Sequence, residues 1–132
     1  MGKDLLIGSH VGMNGPDYYL GSVKEAISYN ATTFMFYTGA PQNSYRKPLN
    51  ELKIEEGRAL LREHGFDESK IVVHAPYIIN PANKNRPDLL ELSIKTLISE
   101  LRRTYAFGAK ILVLHPGNHL GLGSEEAIQT LV

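Results

Sequence analysis

The sequence predicts an α/β chain whose strands run parallel and alternate with helices. Three features carry that expectation. Four short apolar runs, Leu5–Ile7, Thr33–Tyr37, Ile71–Val73 and Ile111–Leu114, lack polar alternation, which is how strands covered on both faces read. Stretches with helical spacing of apolar residues lie between them. Successive runs start about 28, 38 and 40 residues apart, room in each repeat for a strand, a helix and their turns.

The elements follow in order. Leu20, Val23, Ala26 and Ile27 share one face of a first helix. A second helix holds Leu60 and Leu61 and closes at Gly65, a residue suited to the position just past a helix end. The third is the clearest. Pro87 fits a first helical position, and Leu90, Ile94, Leu97, Leu101 and Tyr105 form one apolar face that ends near Gly108. Ser124 is an N-cap candidate for a fourth helix, with Glu125 and Glu126 in its first turn. That helix stops at Leu131-Val132 without a cap, so the sequence reads as interrupted inside it. Two architectures use this alternation, an open doubly wound sheet and a (β/α)₈ barrel. A barrel needs roughly 250 residues. The 132 residues here would make about half of one.

Composition narrows the chemistry. Lys+Arg and Asp+Glu both total 14, so any nucleic-acid binding must come from a local patch rather than bulk charge. The absence of cysteine excludes disulfides, thiol nucleophiles and thiolate zinc sites. No apolar run approaches the roughly 18 residues of a membrane span, and Met1–Asp4 does not open a signal peptide. A soluble, cytoplasmic protein is the expectation.

In open α/β sheets and barrels alike, function collects where strands end and helices begin. Four of the five histidines fall at such junctions: His10, His74, His115 and His119. His74 and His115 end strands adjacent in sequence, which makes them neighbours at one rim. Two neutral imidazoles there could hold zinc, manganese or iron, and a pair of hydrogen-bonded structural histidines satisfies the same spacing. No Asp or Glu occurs from Ala26 to Asn50, Ile71 to Pro87 or Arg102 to Ser124, so a hydrolytic metal centre must find its carboxylates elsewhere. The acid-free stretches carry Arg46, Lys47, Lys84 and Arg86 among several asparagines, a rim that suits a phosphate backbone or simply a solvated surface. Tyr77-Ile78-Ile79 is apolar for a loop entry. It reads as core packing or as a wedge between bases. Dinucleotide, P-loop and nucleophile-elbow fingerprints are absent.

Taken together and in order, Gly8-Ser9-His10-Val11, Thr38-Gly39-Ala40-Pro41-Gln42-Asn43, Val73-His74-Ala75-Pro76-Tyr77-Ile78-Ile79-Asn80 and Leu114-His115-Pro116-Gly117-Asn118-His119 resemble endonuclease IV. The resemblance runs from about Leu5 to Val132. It implies a (β/α)₈ TIM barrel that cuts double-stranded DNA on the 5′ side of abasic sites, in base excision repair, with a cluster of three zinc ions. By position, His74 and His115 match two zinc ligands of that cluster, and Tyr77 and Ile78 match a loop inserted into the duplex. Gln42 and Asn43 lie in a loop similar to one that contacts DNA, although it departs from forms with arginine at the tip. His10 and His119 fit the pattern without an assigned role.

The family's bridging glutamate, its D-x-x-H and D-x-H ligand pairs and its final glutamate belong to the second half of the barrel and are absent here. Residues 1–132 are therefore expected to form about four βα units, truncated in the fourth helix and inactive alone unless the half barrel self-associates. Two rivals use the same pattern: a metal-dependent sugar isomerase or epimerase barrel, and a small non-catalytic α/β binding domain. Tyr77-Ile78 and the Asn-rich basic loops favour DNA over a sugar pocket.

Overall fold

A computed structural model describes residues 5–42, 45–76 and 87–114. Three strands, β1 (Met35–Phe36), β2 (Val72–His74) and β3 (Ile111–Val113), form a parallel sheet in the order β1-β2-β3. Register pairs Phe36 with Val73 and Val73 with Leu112, so the three apolar runs stack side by side. The helices are α1 (Tyr18–Ser28), α2 (Ile54–Glu63) and α3 (Pro87–Ala106).

The first apolar run, Leu5–Ile7, is expected as a strand and does not form one. The Thr32 hydroxyl donates to the Leu5 carbonyl and accepts from the Ile7 amide, each at 2.9 Å, so side-chain bonds are mixed with backbone bonds from the Thr32 amide to the Ile7 carbonyl and from the Met35 amide to the Ser9 carbonyl. The segment still runs parallel beside β1, through a bridge between His10 and Met35 and a 2.9 Å bond from the Val11 amide to the Met35 carbonyl. Four parallel segments therefore lie in the order of the chain. A doubly wound sheet reverses its order at a switch point, whereas a barrel does not.

Helix ends follow the glycine signals. Gly65 and Gly108 adopt φ values of +76° and +82°, which only glycine enters without strain. Between α1 and α2 the approach is close enough that a Cβ at Gly57 would stand 2.6 Å from Tyr19 Cδ2. The core gathers on the helix side of the sheet, where Tyr19, Phe36 and Phe107 pack with ring centroids 4.8–5.1 Å apart.

Helix α3 departs from the expected patterning. Of its predicted apolar face, Ile94, Leu101 and Tyr105 are exposed among the described residues, joined by Ile98. The side turned inward carries Ser93, Thr96, Glu100 and Thr104. A buried acidic group, reached by partners from the sheet side, sets this orientation. The fourth helix, expected from Ser124, lies outside the described residues. None of the described helices is long and apolar enough to cross a membrane.

Candidate functional site at the strand rim

His74 is the last residue of β2, and Tyr37 follows directly after β1. Parallel register therefore brings their side chains to the same rim. The Tyr37 ring lies 4.9 Å from that of His74 and 4.8 Å from that of His10, so three junctions meet through one row of rings. His74 is buried, and its Nδ1 donates to the Ala75 carbonyl at 2.7 Å. A carbonyl can only accept, so Nδ1 carries a proton, and the tautomer matching this bond is the one with its lone pair on Nε2. That tautomer suits a metal ligand, whose orientation is set by the bond made from its other nitrogen. The described residues contain no cluster of three or more metal-ligating side chains.

A cleft of about 730 Å³ opens beside this row, between the loop after the first parallel segment and the loop after β1. His10, Asn14, Tyr37, Gln42 and Lys47 are among its lining residues. Gln42 is exposed there, as a residue that contacts a ligand must be. Lys47 brings positive charge, its Nζ 5.9 Å from the centre of the Tyr18 ring. Asn43, Tyr77, Ile78, His115 and His119 lie outside the described residues, as do Lys84 and Arg86.

Arg46 corrects the reading of the basic rim. Its side chain is only 4% exposed and pairs with Glu100 of α3, from Nε to Oε1 at 2.9 Å. It is not a surface group offered to phosphate. Thr38 joins them, accepting from Arg46 Nε at 2.8 Å and donating to Glu100 Oε2 at 2.6 Å. Burial, helped by the like charge of Arg46 and opposed by the carboxylate of Glu100, holds the nearby Arg103 guanidinium below its ordinary pKa. An acid therefore does reach the acid-free rim, supplied from a helix. Its sequence signal is the spacing of Ser93, Thr96, Glu100 and Thr104, a polar stripe at helical intervals. No comparable signal marks Tyr37, which is one aromatic in an apolar run.

The sequential order of the parallel segments and the histidine-bearing rim at their C-terminal ends define a βα-barrel type of protein. The profile of the xylose isomerase-like TIM barrel family matches residues 23–132, and the chain belongs to that family. Within it, the chain is 56% identical over 128 residues to a probable endonuclease 4 of Shouchella clausii, covering 97% of this chain and 43% of that protein. The chain thus spans less than half the length of the curated relatives it matches. The crystal structure of endonuclease IV from Thermus thermophilus superposes with a TM-score of 0.74 at 24% identity, over 95% of this chain and 47% of that one. A D-tagatose 3-epimerase-like protein gives a TM-score of 0.62 at 18% identity, over 95% of this chain and 45% of its own. These two likenesses speak for the fold alone. The resemblance to endonuclease IV read from the rim motifs agrees with the curated relatives.

Proposed function

We propose that this chain contributes the first part of the active site of an endonuclease that cuts DNA 5′ to abasic sites in base excision repair. The observation that carries the reading is 56% identity to a probable endonuclease 4 across 97% of the chain. The imidazole of His74, held at the strand rim in the Nδ1–H form, supports it from the geometry. His74 and His115 would hold zinc, which supplies a Lewis acid for the scissile phosphodiester.

The chain's own residues do the remaining work proposed here. The Ala75 carbonyl orients the His74 ring, and the Tyr37 ring packs against it. Gln42 and Asn43 contact the duplex from the loop after β1. Tyr77 and Ile78 enter the base stack at the lesion, where unstacking costs least because a base is already missing. With two of the implied zinc ligands and none of the carboxylates, residues 1–132 bind zinc and DNA without nicking it.

The test is a binding experiment with two duplexes, one intact and one carrying a tetrahydrofuran abasic analogue. In the presence of zinc, the chain should favour the abasic duplex by about tenfold, and Tyr77→Ala should abolish the preference. His74→Ala should reduce zinc retained after dialysis. Equal binding of both duplexes, or a sugar turned over with no DNA bound, would sink the reading in favour of an isomerase-type barrel.

A further inference from the structure

We propose that Arg46 is a positioning residue, locked to Glu100 inside the molecule so that the loop after β1 holds the shape that presents Gln42 to DNA. The inference rests on the reading of this rim as the DNA-facing side. Its physical basis is the set of atoms that Arg46 reaches. Nη1 donates to the Ala40 carbonyl at 3.1 Å and to the Tyr45 carbonyl at 2.7 Å. Ala40 lies on the outgoing limb of the loop and Tyr45 on the returning one, so a single guanidinium grips both. Nε meanwhile donates to Glu100 Oε1 and to the Thr38 hydroxyl. Thr38 is the residue directly after Tyr37, so the same network fixes the backbone beneath the ring row.

Two further features show that the surroundings accommodate this grip. A Cβ at Gly39 would lie 2.7 Å from Arg46 Cδ and 2.9 Å from Nη1, so the loop passes the arginine where only glycine leaves room. Helix α3 turns its polar stripe inward and places Glu100, 1% exposed, under the loop. A buried ion pair of this kind gains little stability over apolar side chains of the same volume. What it supplies is geometry: a planar fork with donors at fixed angles. Here Nε is anchored on the buried side chains of Glu100 and Thr38, while Nη1 is left to hold the two loop carbonyls. A lysine keeps the charge and loses the fork.

Arg46→Lys and the charge-free pair Arg46→Met with Glu100→Gln test the proposal, the pair avoiding a buried carboxylate without its cation. Three quantities are read: the thermal midpoint, amide hydrogen exchange across Thr38–Gln42 and Tyr45–Lys47, and the Kd for the tetrahydrofuran duplex. In at least one folded variant whose midpoint is close to that of the parent, loop amides should exchange about tenfold faster than in the parent and Kd should rise about tenfold. Amides of α1 and α2 should be unchanged. Loop exchange unaltered in both variants overturns the proposal, and so does faster exchange with unaltered Kd. Failure of the underlying reading looks different: the parent chain then binds neither duplex.

Discussion

The Tyr37 ring sits 4.9 Å from the imidazole of His74, tilted at 47°, each residue at the end of one of two hydrogen-bonded strands. Contact between neighbouring strand ends makes the tyrosine a wall for the histidine. Tyr37→Ala should let the imidazole swing and weaken zinc binding by about tenfold, the usual scale for losing support around a ligand. Tyr37→Phe keeps the ring and should bind zinc as the parent does. Competition against a chelator of known affinity measures both, and equal affinities for all three proteins would refute the wall.

Tyr19 is fully buried, and its hydroxyl has no hydrogen-bond partner among the described residues. Burial accordingly pushes its phenol well above the ordinary range. Removing an unsatisfied buried hydroxyl while keeping the ring should help. Tyr19→Phe is expected to stabilise the fold by about 1 kcal/mol and to raise the thermal midpoint by several degrees. Calorimetry showing a lower midpoint would reveal a partner for the hydroxyl.

Gly57 tests the same contact from the other side. A methyl group there meets the Tyr19 ring at 2.6 Å and α1 backbone atoms at 3.2 Å. Although alanine favours a helix over glycine, Gly57→Ala should destabilise by about 1–3 kcal/mol because α1 must move away. A chemical denaturation midpoint equal to the parent's would show that the helices part freely.

Glu68 is bonded by Arg58 through both oxygens, at 2.8 and 3.0 Å, with Arg62 nearby at 3.3 Å. The Arg58 hydrogen bonds, first among the causes, hold its carboxyl below the ordinary value of 4.5. A lowered folded pKa means that the carboxylate stabilises the fold above 4.5 and loses that contribution as pH falls through the lower value. Glu68→Gln should therefore cost about 1 kcal/mol at neutral pH and nothing in strong acid, where the parent is protonated too. Melting curves across that range check the convergence.

The outward stripe of α3, with Ile98 and Leu101 about half exposed, is more apolar surface than a lone helix usually shows to water. On its own the chain is predicted to self-associate through it. Light scattering should report a species larger than one chain, and the pair Ile98→Lys with Leu101→Glu should return it to a monomer. A compact monomeric parent would mean that other residues cover the stripe.

Much of this architecture was legible because strand and helix signals are local. Uniform apolar runs marked β1, β2 and β3, and Gly65 and Gly108 marked where helices end. Position alone placed His74 at the rim. What escaped the sequence depends on partners far along the chain. The Thr32 side chain bonds the backbone of the first run across 25 residues, and Arg46 finds Glu100 across 54. Helix α3 has two faces that could each be read as internal, one apolar and one polar. Glu100 decided between them by meeting an arginine that patterning had assigned to solvent.

Withdrawal of Arg46 from the surface also fixes how this rim should respond to ionic strength. Each cation set against a phosphate adds about 0.9 to the slope of log affinity against log salt. Of the two adjacent cations, only Lys47 lines the cleft with its charge available, so the slope should be shallower than the sequence count suggests. The buried pair is shielded from the same ions, since screening acts on charges that water surrounds. Concentrated salt should strip a duplex from the loop while leaving the loop's form intact, and dilution should restore binding without a slow phase.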